Sequence, residues 1–213
     1  MTIVSGRLFS AKERAPLAPV PSLDDFLESL KTTRSESSVT AQVMRTQAVV
    51  SKEHILEAAR FACEAHAAGR GVAEDLGVEL LLFASGQRQI GRAIERFGLK
   101  APLAGAPVVA CFLSGVAEES ERLIPRLLPS WGFVPTDHVH SDILELVAAV
   151  EANDVSIQEI RVAAANDGIP ANTWQGWNEL LDVPPRELAR LAVSCLVERM
   201  VLLKVDSSSP GTL

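Results

Sequence analysis

Apolar residues recur at three- and four-residue intervals through most of the chain, and this spacing predicts helices. Ser22 opens one that runs to about Lys31, with Leu23, Phe26, Leu27 and Leu30 on one face. Ser51 opens the next, which runs to about Ala68 and turns Ile55, Ala58, Ala59, Ala62 and Cys63 inward, with Gly69 and Gly71 ending it. A helix over about 73–84 follows. Others are predicted over 118–128 with an interruption at Pro125, over 141–152 and over 156–166. Asn172 is placed to cap a helix carrying Trp174, Trp177, Leu180 and Leu181. Pro184 or Pro185 starts the last helix, which reaches about Met200. Residues 201–205 either extend it or form a closing strand.

Three stretches break this period. Thr2–Leu8 is half apolar and reads as an edge strand. Val39–Arg45 alternates in part and reads as another strand. Pro107–Leu113 (PVVACFL) is almost wholly apolar, as a central strand would be. A proline-rich loop is expected within 10–21, a mobile polar stretch at 33–38 and a disordered tail at 207–213. The strands do not alternate regularly with the helices. The expected fold is therefore α+β: a helix-rich single domain over residues 1–206 with a small mixed sheet.

The run ELLLFASGQRQIGRAIERFG, Glu79 to Gly98, adds chemistry to this pattern. Gly86 breaks an apolar helix, and a second helix follows, with Gly98 where a left-handed cap belongs. Arg88, Arg92 and Arg96 recur every four residues and stack along one side, while Ile90, Ala93, Ile94 and Phe97 fall on the other and call for a core. Guanidinium groups beside an open helix N-terminus favour a bound anion. The same spacing also serves simply to solvate a helix face, so both readings stand on the residues alone.

Composition narrows the setting. Nearly half of the 213 residues are apolar, enough for a sizeable core, yet tyrosine is absent and aromatics are few. Alanine, leucine and valine must do most of the packing. The net charge of −7 repels nucleic acid and anionic membranes as a whole, so any RNA contact must use a local basic patch. Cys63, Cys111 and Cys195 are widely spaced in apolar patterns, as reduced, buried thiols would be. No secretion signal or membrane span is expected, and the predicted setting is cytoplasmic.

A search for catalytic groups finds little. His138 and His140 form an HxH pair between Asp137 and Asp142, the kind of spacing a metal-dependent hydrolase uses, but no second ligand cluster accompanies it. A polar loop explains the pair equally well. His54, in the first turn of its helix, is expected to face solvent or cap the turn. Ser85 sits outside any nucleophile elbow, and no phosphate-binding glycine loop is present. Neither a catalytic residue nor a cofactor or metal is expected.

The run LGVELLLFASGQRQIGRAIERFGLK resembles the signature of the small kinase-binding subunit of the KEOPS complex, called EKC in eukaryotes, a CGI-type kinase-binding family. The matching positions are Ala84, Ser85, Gly86, Arg88, Gln89, Ile90, Ala93 and Gly98. QAVVSKEHILEAA, with Glu53 and His54, and LVERMVLLKV near the C-terminus resemble two further segments in the same order. The chain departs from the family in its longer proline-rich loop and in extra sequence near 125–170. The resemblance implies a non-catalytic subunit. It would bind an atypical small kinase directly and a threonylcarbamoyl-transferase subunit indirectly, through that kinase. It would recruit tRNA by its single-stranded 3′ CCA end. Gly86, Arg88, Gln89 and Arg92 are then the expected tRNA-binding residues. Leu191, Val193, Leu196 and Val197 on the last helix, which is apolar on more than one side, are the expected kinase-binding residues. Two other classes remain: the metal-dependent hydrolase at His138 and His140, and a purely structural interaction module.

Overall fold

Most helix starts are closed by a side chain that the sequence offers at the right place. The computed structural model describes residues 1–9, 19–171 and 174–206, in the order β1 (Thr2–Arg7), α1 (Leu23–Glu36), β2 (Thr40–Arg45), α2 (Lys52–Ala67), α3 (Leu76–Ser85), α4 (Ile90–Phe97), β3 (Pro107–Leu113), α5 (Ala117–Ser130), β4 (Val134–Thr136), α6 (Ile143–Ala152), α7 (Ile157–Asn166), α8 (Trp177–Leu180) and α9 (Pro185–Asp206). Ser22 and Asp25, like Ser156 and Glu159, form reciprocal capping boxes at α1 and α7. Ser51, Asp75 and Asp142 cap α2, α3 and α6. Residues 10–18 of the proline-rich loop, the Asn172 cap and the tail at 207–213 lie outside the described residues.

The helix-rich α+β class holds. The sheet has the order β2-β3-β1-β4 and is antiparallel at every pairing, where a mixed sheet was expected. β3 is internal, as its apolar run requires. β1 is internal too, not an edge, because β4 pairs with its other side. Three residues are too few for β4 to leave a periodic signal. It approaches β1 so closely that a Cβ on Gly6 would stand 2.4 Å from the Val134 carbonyl oxygen. α1 continues through residues 33–36, which were expected to be mobile. There Thr33 and Ser35 turn their hydroxyls back to the carbonyls of Ser29 and Thr32 within the helix. α5 runs through Pro125 without interruption.

The chain gathers into two compact units. The first, residues 1–46 and 97–139, holds the sheet. Its core sets Val108, Ala110 and Phe112 of β3 with Phe26, Phe133 and Trp131, and the Trp131 ring meets Phe26 edge-to-face and stacks on Phe112.

The second, residues 47–96 and 140–213, is helical, with α9 packed on α2, α3, α6 and α7. Leu188, Leu191, Ala192, Leu196 and Met200 form the inward stripe of α9, which extends to Asp206 rather than ending in a strand. Ahead of α2 the buried residues 48–50 have no regular partner strand, so side chains satisfy their backbone. Asn153 donates to the Ala48 carbonyl at 2.8 Å, and His140 donates to the Val49 carbonyl at 2.7 Å. His54 accepts from the Val50 N–H at 3.3 Å and donates through Nε2 to the Ala84 carbonyl at 2.9 Å.

His54 is thus fully buried, not facing solvent, and held in its neutral form with the proton on Nε2. Burial lowers its pKa to about 4, with the Ala84 carbonyl opposing. Burial lowers His140 as well. The unfolded chain takes up protons below about pH 6.5, which the folded chain resists, so stability is lost as pH falls from there towards 4. His54 alone is predicted to remove on the order of 3 kcal/mol across that window, with His140 adding to it. Urea unfolding at pH 7, 5.5 and 4.5 checks this. His54→Gln is expected to be less stable at pH 7 and to show a flatter pH dependence. An unchanged slope would show that His54 does not carry the effect.

Candidate functional site

α3 is mostly apolar and is buried from Glu79 to Ser85, so its last carbonyls have no water to turn to. All four are satisfied. Gln87 N–H donates to Leu82 and Gly86 N–H to Phe83, both at 3.1 Å, in a Schellman-type turn. His54 serves Ala84 at 2.9 Å, and Arg96 Nη1 serves Ser85 at 3.4 Å. Gly86 takes φ +62°, which a side chain would resist, and the chain turns there into α4. The left-handed residue expected at Gly98 is therefore at Gly86, the end of α3.

This elbow brings the predicted RNA-contact residues to one corner. Arg88, Gln89 and Arg92 are exposed, and Gly86 is half-buried. α4 begins at Ile90, and the Gln89 carbonyl accepts its first helical bond, from Ala93 N–H at 3.1 Å. The N–H groups of Ile90, Gly91 and Arg92 precede that bond and have no acceptor within the helix. Beyond its chain neighbours and its own helix backbone, nothing lies within 4 Å of where a Gly91 Cβ would stand, so the helix is open on that side.

Two expectations about α4 need correction. Arg88 lies before the helix, so the arginines do not form a row of three. Arg96 turns away to Ser85 and pairs with the Asp154 carboxylate. Ala93 and Phe97 are buried, but Ile90 and Ile94 are 39% and 47% exposed. An eight-residue helix with one side inward cannot bury all four.

Arg199, on α9, went unrecognised in the sequence. Its guanidinium donates to the Asn153 carbonyl at 2.7 Å, the Asp154 carbonyl at 2.9 Å and the Glu159 carboxylate at 2.6 Å. It thereby places a cation at the C-terminus of α6, where the helix dipole favours one. Glu159 is held below the usual carboxylate range. Burial pushes it up, but the Ser156 N–H, Arg199 and the Ser156 hydroxyl outweigh this. Nothing in the spacing of VERM signals the role, which depends on contacts 40–46 residues away.

On α9 the four predicted kinase-contact residues separate. Leu191 and Leu196 are buried at 0% and 2% exposure, within the stripe that faces the unit's core, so they are not presented to a partner. Val193 and Val197 are half-buried on the adjoining side. Their four-residue spacing continues to the exposed Val201, with Leu202 beside it. That continuation was the available signal for Val201.

His138 is exposed, while His140 has committed Nε2 to the Val49 carbonyl. Among the described residues, no group of three His, Cys, Asp or Glu side chains is gathered as a metal would need. None of their helices is long and apolar enough to cross a membrane.

A family model described as kinase binding protein CGI-121 matches residues 24–161. The match takes in residues 48–50, α2, α3 and the whole Gly86 elbow, and it stops before α9. No curated protein matches the chain.

Gly86→Ala tests the elbow's conformational demand. A Cβ there would meet only the Arg199 stem at 3.9 Å, ordinary contact distance, so the cost is backbone strain and not a clash. A loss of about 1 kcal/mol is expected, read as a lower urea midpoint at constant slope. Equal or greater stability would mean that the left-handed turn is not required.

Proposed function

The chain belongs to the kinase binding protein CGI-121 family, and from that membership we propose that it is a non-catalytic accessory subunit of the KEOPS/EKC complex. In this reading it binds the atypical small kinase of that complex directly and reaches the threonylcarbamoyl-transferase subunit through it. It recruits tRNA by the 3′ CCA end for threonylcarbamoyl-adenosine modification. The observation that carries the RNA part is the exposed elbow, where Arg88, Gln89 and Arg92 surround the open N-terminus of α4. Guanidinium groups and backbone N–H groups with no acceptor inside their helix suit phosphates, and the neighbouring exposed Ile90 and Ile94 offer apolar surface to unstacked bases. For the kinase, Val193 and Val197 remain as docking residues, extended by Val201 and Leu202.

Arg88→Glu with Arg92→Glu is expected to abolish tRNA binding in a chain that melts like the wild type, since both side chains are exposed. Neutral Gln at both positions should lower the salt slope of binding by about 1.4, two contacts' worth on a single strand. Trimming CCA should weaken binding of the intact protein. Undiminished affinity of the folded double-Glu variant at low salt would sink the RNA reading.

Val193→Arg and Val197→Arg test the docking face. Burying an unpaired guanidinium against a partner costs about 3 kcal/mol or more, so kinase pull-down should be lost. The half-exposed positions should leave the melting temperature near that of the wild type. Leu191→Arg should instead unfold the second unit. Both valine variants binding kinase normally would place the interface elsewhere.

A further inference from the structure

The elbow that carries Arg88, Gln89 and Arg92 is closed from behind by a ring of contacts. The Ser85 carbonyl accepts from Arg96, and Arg96 pairs with the Asp154 carboxylate. The Asn153 and Asp154 carbonyls accept from Arg199 at 2.7 and 2.9 Å. The Cβ and Cδ of Arg199 then lie 3.9 Å from where a Gly86 Cβ would stand, which brings the ring back to its start. Three elements converge on one turn: α4 through Arg96, the α6–α7 turn through Asp154, and α9 through Arg199. Asp154 itself sits at φ +56°, an unusual conformation for a side chain, stabilised from two directions.

We propose that Arg96, Asp154 and Arg199 are positioning residues that hold the Gly86 elbow in its RNA-receptive geometry and do not themselves contact RNA. This role rests on the RNA-binding reading above. An RNA end engaging Arg88, Arg92 and the first N–H groups of α4 together requires a fixed angle between the end of α3 and the start of α4. The Schellman-type turn sets the exit from α3, and the Arg96–Asp154–Arg199 ring fixes where α4 goes from there. Arg199 has both terminal guanidinium nitrogens engaged by three acceptors, an arrangement that a lysine ammonium cannot reproduce.

Asp154→Gly separates positioning from charge. Glycine suits φ +56°, and the substitution removes a negative group near the elbow. Net charge alone would make it bind tRNA more tightly, whereas loss of the brace makes it bind more weakly. The full chain and its Asp154→Gly and Arg199→Lys variants would be compared for tRNA affinity across salt concentrations. Amide hydrogen exchange would be followed over residues 87–92 without RNA. Both variants are expected to bind about tenfold more weakly, with an unchanged salt slope, and to exchange faster at 87–92 while the interior of α2 stays protected. Wild-type affinity or better in Asp154→Gly, full rescue by Arg199→Lys, or unchanged exchange at 87–92 overturns the role. A wild-type chain that binds no tRNA overturns the RNA reading and this role with it. Loss of binding in the Arg88→Glu, Arg92→Glu variant with Asp154→Gly intact overturns the role alone.

Discussion

A helix that ends inside a protein cannot leave its last four carbonyls bare, because each buried, unpaired oxygen costs about 1–3 kcal/mol. The arrangement around α3 follows from this constraint. The Ala84 carbonyl fixes the ring of His54, and the other nitrogen of that ring fixes Val50. The Ser85 carbonyl draws in Arg96 and with it the body of α4. The Leu82 and Phe83 carbonyls demand the tight turn at Gly86. Satisfying one helix end therefore places the segment before α2, the start of α4 and the corner where the exposed arginines stand.

Charge is divided accordingly. A chain carrying −7 overall has few cations to spare for an acidic partner. Around the elbow, Arg96 and Arg199 turn towards carbonyls and carboxylates of the protein itself, while Arg88 and Arg92 remain exposed. In the proposed reading, Arg96 and Arg199 contribute geometry and Arg88 and Arg92 contribute potential. Counting basic residues along the sequence does not reveal this division.

The sequence showed what depends on neighbours along the chain and hid what depends on distant ones. Caps such as Ser22, Ser51 and Ser156 are local and legible, as is the apolar run of β3. The inward stripe of α9 was visible, but the choice between Leu191 and Val193 as outward residues required knowing which side α9 turns to α2 and α7. β4 was too short to see, and missing it made β1 an edge. His54 was expected to face solvent or cap the turn, because either suits a histidine in a first turn. It is buried, and the partner that satisfies its Nε2 there is the Ala84 carbonyl, thirty residues away. Arg96 fitted a row of three by spacing alone, until the Asp154 carboxylate and the Ser85 carbonyl claimed it.

α9 has an evolutionary consequence. One side, from Leu188 to Met200, fills the core, and Arg199 braces a turn. If the valine side docks a partner, the exposed Ser194 and Glu198 are among the few positions left free to drift. Sequence change in this helix would then be slow and would come in compensated pairs, with a partner's surface changing alongside it. A lineage that lost the partner would show it first at Val193 and Val197, as polar replacements that leave the inward stripe intact.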